Sequence, residues 1–344
     1  MDSLSVFYKR RSFVQILKEG TILYFRHIVL MTKPLVVPLL AQFVGILLWV
    51  GLTYGVVDMV TSRFSLNPWL LWGIFLAANL PGLYIFTQGF WHYLVWVSGL
   101  NLVARDLVET GQCTDLSAFA LRINNRASEY SIIWTFLFAI NFLPVGLAVI
   151  PLGIGGVHPQ WATGCNLMAG AILSTGMMVV MVLMLFFALV FQTFAFTPGS
   201  AGASLFRSVD LVKIDIPKTL GLSIIAVVAT QVVLPPVVMA VFDGIHLTAY
   251  LANGLEILVR YALARSTTAI ESYHSVVLSN VFHQLTHDPR FLADQMMETL
   301  SYTFVSALFL PLGCWWFALL YADLKTQMDE SQRLPKPPEV LQGV

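Results

Sequence analysis

The chain has 344 residues, 57% of them hydrophobic and only 11% charged, with a mean hydropathy of +0.76. Soluble domains carry about 25% charged and roughly 45–50% apolar residues, so this composition rules out the two soluble domains that the length would allow. Lys plus Arg number 19, as do Asp plus Glu, and the zero formal net charge leaves no global pull toward nucleic acid.

Residues 1–33 form a charged N-terminal segment. "KRRSFVQ" (Lys9–Gln15) matches a twin-arginine export signal on its surface, but Lys18, Glu19 and Arg26 interrupt the apolar run such a signal needs. The match is read as accidental, and no cleaved signal is expected. Phe13, Ile16, Leu17, Leu23 and Tyr24 share helical spacing, with the charges on other faces, which predicts an amphipathic helix.

The membrane domain is expected over residues 34–325. Pro34–Val57, Thr219–Phe242 and Thr299–Ala322 are charge-free windows of 24 residues each. At about 1.5 Å per residue each makes ~36 Å of helix, enough to cross a hydrocarbon core of about 30 Å. Trp69–Gly99 adds a crossing. From Tyr130 to Phe206 there is no Asp, Glu, Lys or Arg, and "GIGGVHPQWATG" (Gly153–Gly164) divides this run into crossings at Ser131–Gly153 and Leu167–Phe191. Six crossings result.

Between them lie two more amphipathic stretches. Asp115 can cap a helix with the stripe Leu116, Phe119, Ala120, Ile123 and Ala127. Leu205, Val209, Val212 and Ile216 form the stripe of the other, with Arg207, Asp210 and Lys213 turned away. Pro217 then breaks it, and Asp215 is placed to cap the helix that follows. The order amphipathic helix, crossing, crossing occurs three times in one orientation. Residues 244–298 are a long outer segment; within it Ala249–Arg265 is expected to be a surface helix, because Glu256 and Arg260 sit mid-span. Residues 326–344, Pro-rich and polar, are expected to be a flexible tail.

Numbering the crossings from a cytoplasmic N-terminus puts fifteen basic residues inside and four outside (Arg63, Arg260, Arg265 and Arg290), with every lysine inside. That asymmetry predicts both termini in the cytoplasm. The expected fold class is all-α, a polytopic protein with six transmembrane helices and three cytoplasmic interfacial helices. Membrane lipids are the first expected partner, through basic residues at the headgroup level.

"LFRSVDLVKIDIPKTLGLSII" (Leu205–Ile225) resembles an arginine–serine segment ahead of the fifth crossing in a group of bacterial six-helix membrane proteins. "ALLYADLKTQ" (Ala318–Gln327) resembles their closing Tyr-x-Asp-Leu-Arg motif, with Lys325 where arginine is usual. "QILKEGTILYFRH" (Gln15–His27) and "ARDLVETGQCTDLSAFALRINNR" (Ala104–Arg126) look like their N-terminal and central surface helices. The group includes the membrane domain fused to some glycerophosphodiester phosphodiesterases and many stand-alone proteins. The resemblance implies a multi-pass protein of a bacterial inner membrane; no phosphodiesterase domain is present, so that activity does not carry over.

Chemistry-bearing residues are few. His283 and His287 are four apart beside Asp288, a pattern that can hold zinc, but no H-E-x-x-H glutamate or clear third ligand accompanies them. A polar helix face explains the same residues, so no metal site and no cofactor is assigned. Cys113, Cys165 and Cys314 are scattered, without a disulfide framework. In the crossings Gln42, Asn79, Gln88, His92, Asn141, Gln192 and Gln231 read as interhelical hydrogen bonders. Prolines such as Pro235 and Pro236 should kink their helices, "GAILS" (Gly170–Ser174) reads as close packing, and Trp69, Trp72, Trp134, Trp161, Trp315 and Trp316 as interface anchors. Asp323 stands at the negative end of the last crossing's dipole and needs a cation beyond Lys325. Arg207, at the same level and able to grip a carboxylate with two bonds, is the expected partner. The expected function is a non-catalytic scaffold or accessory protein that offers basic helices to lipid headgroups or to a cytoplasmic or membrane protein partner. The alternatives are a permease or lipid-handling protein and, on the histidines alone, a metal-dependent enzyme at the outer surface.

Overall fold

A computed structural model gives the fold and describes residues 7–61, 68–110, 116–197, 199–263 and 289–333. Every regular element among these residues is helical. The chain runs through α1 (Phe13–Thr61), α2 (Pro68–Thr110), α3 (Leu116–Asn125) and α4 (Ala127–Val157). A short 3-10 turn at Pro159–Trp161 leads into α5 (Ala162–Phe186), α6 (Val190–Phe196), α7 (Ala201–Val212) and α8 (Ile216–Val227). A π-helical segment, Val228–Val233, joins α8 to α9 (Leu234–Gly244), and α10 (Leu247–Leu263) and α11 (Pro289–Arg333) follow.

Five helical stretches are long and apolar enough to cross a membrane: Phe13–Trp49, Ala127–Val157, Pro159–Phe196, Ile216–Gly244 and Met296–Gln332. The other expected crossing, Trp69–Gly99, lies within α2. The N-terminal stretch expected as a separate amphipathic helix is instead the first part of α1, which continues through Pro34 and Pro38. The chain divides into two compact units. Unit 1 comprises Met1–His27, Val97–Val227 and Leu312–Val344, and unit 2 comprises Ile28–Trp96 and Val228–Pro311.

In unit 2, α1 and α2 meet backbone to backbone. A methyl group added at Gly45 would run into the backbone of Phe86, and one at Gly82 into that of Trp49; at Gly89 it would stand 2.7 Å from the Gln42 nitrogen. Small residues allow this approach, and in lipid it supplies the dispersion that a hydrophobic driving force cannot. Asn79 joins the contact, accepting from the Trp49 indole and donating to the Phe75 carbonyl at 2.6 Å. The π-helical segment precedes Pro235 and Pro236, which have no N–H to return to the carbonyls four residues earlier. The Gln231 carbonyl, one of those left over, accepts the Tyr302 hydroxyl. On α10, Glu256 accepts from Arg290 at 3.0 Å.

Unit 1 contains the hairpin of α4 and α5, whose outward faces are apolar. Phe142, Leu143, Ile150, Met178 and Met181 are each at least 60% exposed, as lipid-facing residues are. Within the hairpin Gly176 makes the close approach, with an added methyl 2.6 Å from Pro144; Gly170, expected in that role, faces open space. The core gathers Ile16, Tyr24, Leu100, Ile123, Tyr130 and Trp315, all at 1% exposure or less. Trp315 and Trp316, at 0% and 5%, are therefore core residues and not interface anchors. Trp316 packs against Gly20 and donates its indole N–H to the Leu17 carbonyl at 3.1 Å, whereas Trp161 is exposed as an anchor should be.

Candidate functional site

The polar residues of unit 1 converge on one carboxylate. Asp323 lies ten residues before the end of α11, out of reach of the helix dipole expected to disfavour it, and has 1% of its side chain exposed. Its Oδ1 accepts the backbone N–H of Arg11 at 2.7 Å. Its Oδ2 accepts from Lys218 Nζ at 2.6 Å and from Gln327 Nε2 at 2.9 Å. Lys218 Nζ also donates to the Arg11 carbonyl at 2.5 Å, so the backbone of Arg11 is held at both its N–H and its C=O. Three distant parts of the chain, the segment before α1, the start of α8 and the last third of α11, meet at this point.

Each part is aimed by local chemistry. Ser12 and Gln15 form a reciprocal capping box at the start of α1: the Ser12 N–H donates to Gln15 Oε1 at 2.8 Å, and the Gln15 N–H to Ser12 Oγ at 3.3 Å. Asp215 caps α8 as its position predicts, accepting the Lys218 N–H at 3.0 Å, which fixes the direction from which the lysine extends. The Arg11 side chain, 3% exposed, folds back to Glu19 at 2.8 Å and to the Phe7 carbonyl at 2.6 Å. Lys9 takes the other Glu19 oxygen at 3.0 Å, and Arg10 reaches Glu330 at 2.6 Å. Every residue of "KRRS" is thus engaged in fastening the N-terminal segment.

The cation on Asp323 is Lys218, where Arg207 was expected. Both basic residues stand at the right level, and helical phase decides between them. α7 turns Ser204, Ser208 and Leu211 inward, leaving Arg207 on its exposed side. Arg207 Nη1 lies beside Gly199, 3.6 Å from where a methyl group there would stand. Of the expected stripe Leu205, Val209, Val212 and Ile216, Val212 alone is buried; α7 also buries Ala201 and Leu211 and the hydroxyls of Ser204 and Ser208.

Those hydroxyls serve a break in the neighbouring helix. Between α5 and α6 the chain turns at Phe187–Leu189 and its backbone ladder is interrupted. Ser208 Oγ donates to the Phe186 carbonyl at 2.8 Å and accepts the Leu189 N–H at 3.2 Å. Thr193 donates to the Ser204 carbonyl at 3.0 Å. At the other end of α6, Arg126 and Arg105 donate to the carbonyls of Phe194 and Ala195 at 3.3 and 3.1 Å. The Arg126 guanidinium also sits 3.7 Å from the Phe194 ring centroid. Cations on the last carbonyls satisfy the helix end and its dipole together. Arg122 grips Asp106 with both nitrogens, at 2.5 and 3.2 Å.

An aromatic column links the two clusters: Phe7 stacks on Phe196 at 5.7 Å, and Phe196 on Tyr321 at 5.2 Å. The Tyr321 hydroxyl is 2.9 Å from Thr197 Oγ1. Lys325 lies over the Tyr8 ring at 4.9 Å. Burial, with Tyr321 next to it, pushes the Tyr8 phenol up to about 12, so it stays neutral. Deeper in unit 1, Trp134 donates to Ser98 Oγ at 2.7 Å and Gln192 to Asn101 at 3.1 Å, the hydrogen bonding expected of Gln192.

Beside the clasp, unit 1 has a cavity of about 430 Å³. One face of α1 supplies Glu19, Ile22, Leu23, Arg26 and His27, at helical spacings of three and four. Leu107, Val108 and Leu319 close it with apolar surface over Trp315. Lys18 and Arg26 are exposed and take no hydrogen bond or ion pair among the described residues. His283, His287 and Asp288 lie outside the described residues, among which no cluster of three or more His, Cys, Asp or Glu could hold a metal. No protein-family model, curated protein or solved structure matches the chain.

The Ser208 contact generates a prediction. Ser208→Ala removes the hydroxyl that pairs two buried backbone groups, each costing about 1–3 kcal/mol when left unmatched. Thermal or denaturant unfolding of the purified protein should show a loss of that order. Ser174→Ala, at an exposed hydroxyl bonded only to its own helix, should leave stability within about 0.5 kcal/mol.

Proposed function

We propose that the chain is a non-catalytic membrane scaffold or accessory protein that holds its helices together with internal ion pairs and meets lipid headgroups through what remains. The observation that carries this is the use made of the basic residues. Arg11, Arg105, Arg122, Arg126 and Lys218 bind carboxylates or backbone carbonyls inside unit 1. A group held this way serves architecture. Lys18 and Arg26, exposed on α1, are left to face phosphates.

Around that observation the reading assigns six crossings, with Trp69–Gly99 of α2 as the sixth, in a bacterial plasma membrane. α3 and α7 lie at the cytoplasmic interface with the first part of α1. The excess of basic residues places both termini inside, and the motifs about Ser208, Tyr321 and Asp323 keep the likeness to the six-helix group. A cytoplasmic or membrane protein partner would use the same basic side. Lipid handling is the second reading, favoured by the cavity of unit 1.

Two measurements check this account. Reporter fusions after Thr267 and after Val344 should give opposite compartment signals; matching signals would mean that a crossing has been miscounted. In detergent, phosphatidylglycerol should raise the melting temperature more than phosphatidylcholine does, and the difference should shrink with salt and in a Lys18→Gln, Arg26→Gln variant. Equal shifts from the two lipids would refute headgroup recognition by this face.

A further inference from the structure

We infer that the cavity of unit 1 is a site for one anionic phospholipid, its phosphate on Arg26 and one acyl chain along Leu23, Leu107 and Leu319. The inference rests on the headgroup reading above and makes it specific to one place and one molecule.

The cavity has the two halves an amphiphile requires. Its volume, about 430 Å³, falls within the range of roughly 300–1,000 Å³ typical of small-molecule sites. Ile22, Leu23, Leu107, Val108 and Leu319 give it apolar walls. Its polar members are Arg11, Glu19, Arg26 and His27. Glu19, the one acid among them, is already matched by Arg11 at 2.8 Å and Lys9 at 3.0 Å. That leaves Arg26 as the charge the cavity can offer, and no described residue bonds to it. A guanidinium suits a phosphate because it can donate two parallel hydrogen bonds.

Trp315 belongs to the same lining. The apolar walls favour a lipid over a soluble phosphate monoester, which would leave them wet.

Native mass spectrometry of the full chain, released from mixed micelles of phosphatidylglycerol and phosphatidylcholine, tests the site. One phosphatidylglycerol per chain should survive detergent removal. Arg26→Gln, at an exposed position, should reduce its retention about tenfold, the loss of one charge-assisted contact. Leu23→Trp fills the cavity without altering charge and should abolish retention, while the salt-dependent stabilisation by phosphatidylglycerol persists through Lys18 and Arg26. Glycerol 1-phosphate should not displace the lipid; displacement would assign the site to a soluble phosphate and overturn the inference. Unchanged retention in Arg26→Gln, or in a Leu23→Trp variant that melts normally, would overturn it too, leaving the broader headgroup reading intact. A wild-type chain that fails to prefer phosphatidylglycerol in melting as well would remove both.

Discussion

A buried carboxylate is the constraint around which unit 1 is arranged. Taking a carboxylate out of water costs several kcal/mol. Asp323 meets it with a backbone N–H, an ammonium and an amide, which together occupy both oxygens. The donors come from the segment before α1, from α8 and from Asp323's own helix, so satisfying one side chain also sets where the first two lie against α11. A hydrophobic trio of the same volume could have packed as tightly, but it would not specify which backbone group faces which. The clasp therefore contributes register as much as stability.

The same logic recurs wherever a helix is interrupted. In lipid a broken ladder cannot turn to water, and each freed N–H or C=O needs a partner from the protein. Ser208 supplies both partners at the α5–α6 break, Arg105 and Arg126 cap the end of α6, and Tyr302 serves the carbonyl freed before Pro235. Arginine and serine appear in these segments because backbone groups need them. This explains how a chain with 11% charged residues can commit so many to internal contacts.

The all-helical class and five of the long apolar helices were legible in the sequence, because long charge-free runs have few other solutions. The Asp215 cap was legible too, since a cap depends only on neighbours in the chain. Ser12 and Gln15 could have been found the same way: the S-x-x-Q spacing lies inside "KRRSFVQ", where the paired arginines drew attention to an export signal. What pairs with Asp323 was beyond local reasoning. Arg207 and Lys218 differ in which way their helices face, and that rotation is set by Ser204 and Ser208, residues that hydrophobic periodicity does not weigh. The tryptophans misled for a related reason. Trp315 and Trp316 stand near the end of the expected crossing Thr299–Ala322, where anchors are common, but α11 continues past them and Gly20 opens a recess into which Trp316 fits.

A double-mutant cycle on Lys218 and Asp323, read by reversible unfolding in one detergent, tests the clasp most directly. Lys218→Met and Asp323→Leu should each cost about 3–5 kcal/mol, because each strands a buried charge. The double variant should lose far less than the sum, with a coupling of about 2 kcal/mol or more, while Arg207→Met should be additive with Asp323→Leu to within about 0.5 kcal/mol. Additivity between Lys218 and Asp323, together with strong coupling between Arg207 and Asp323, would contradict the account.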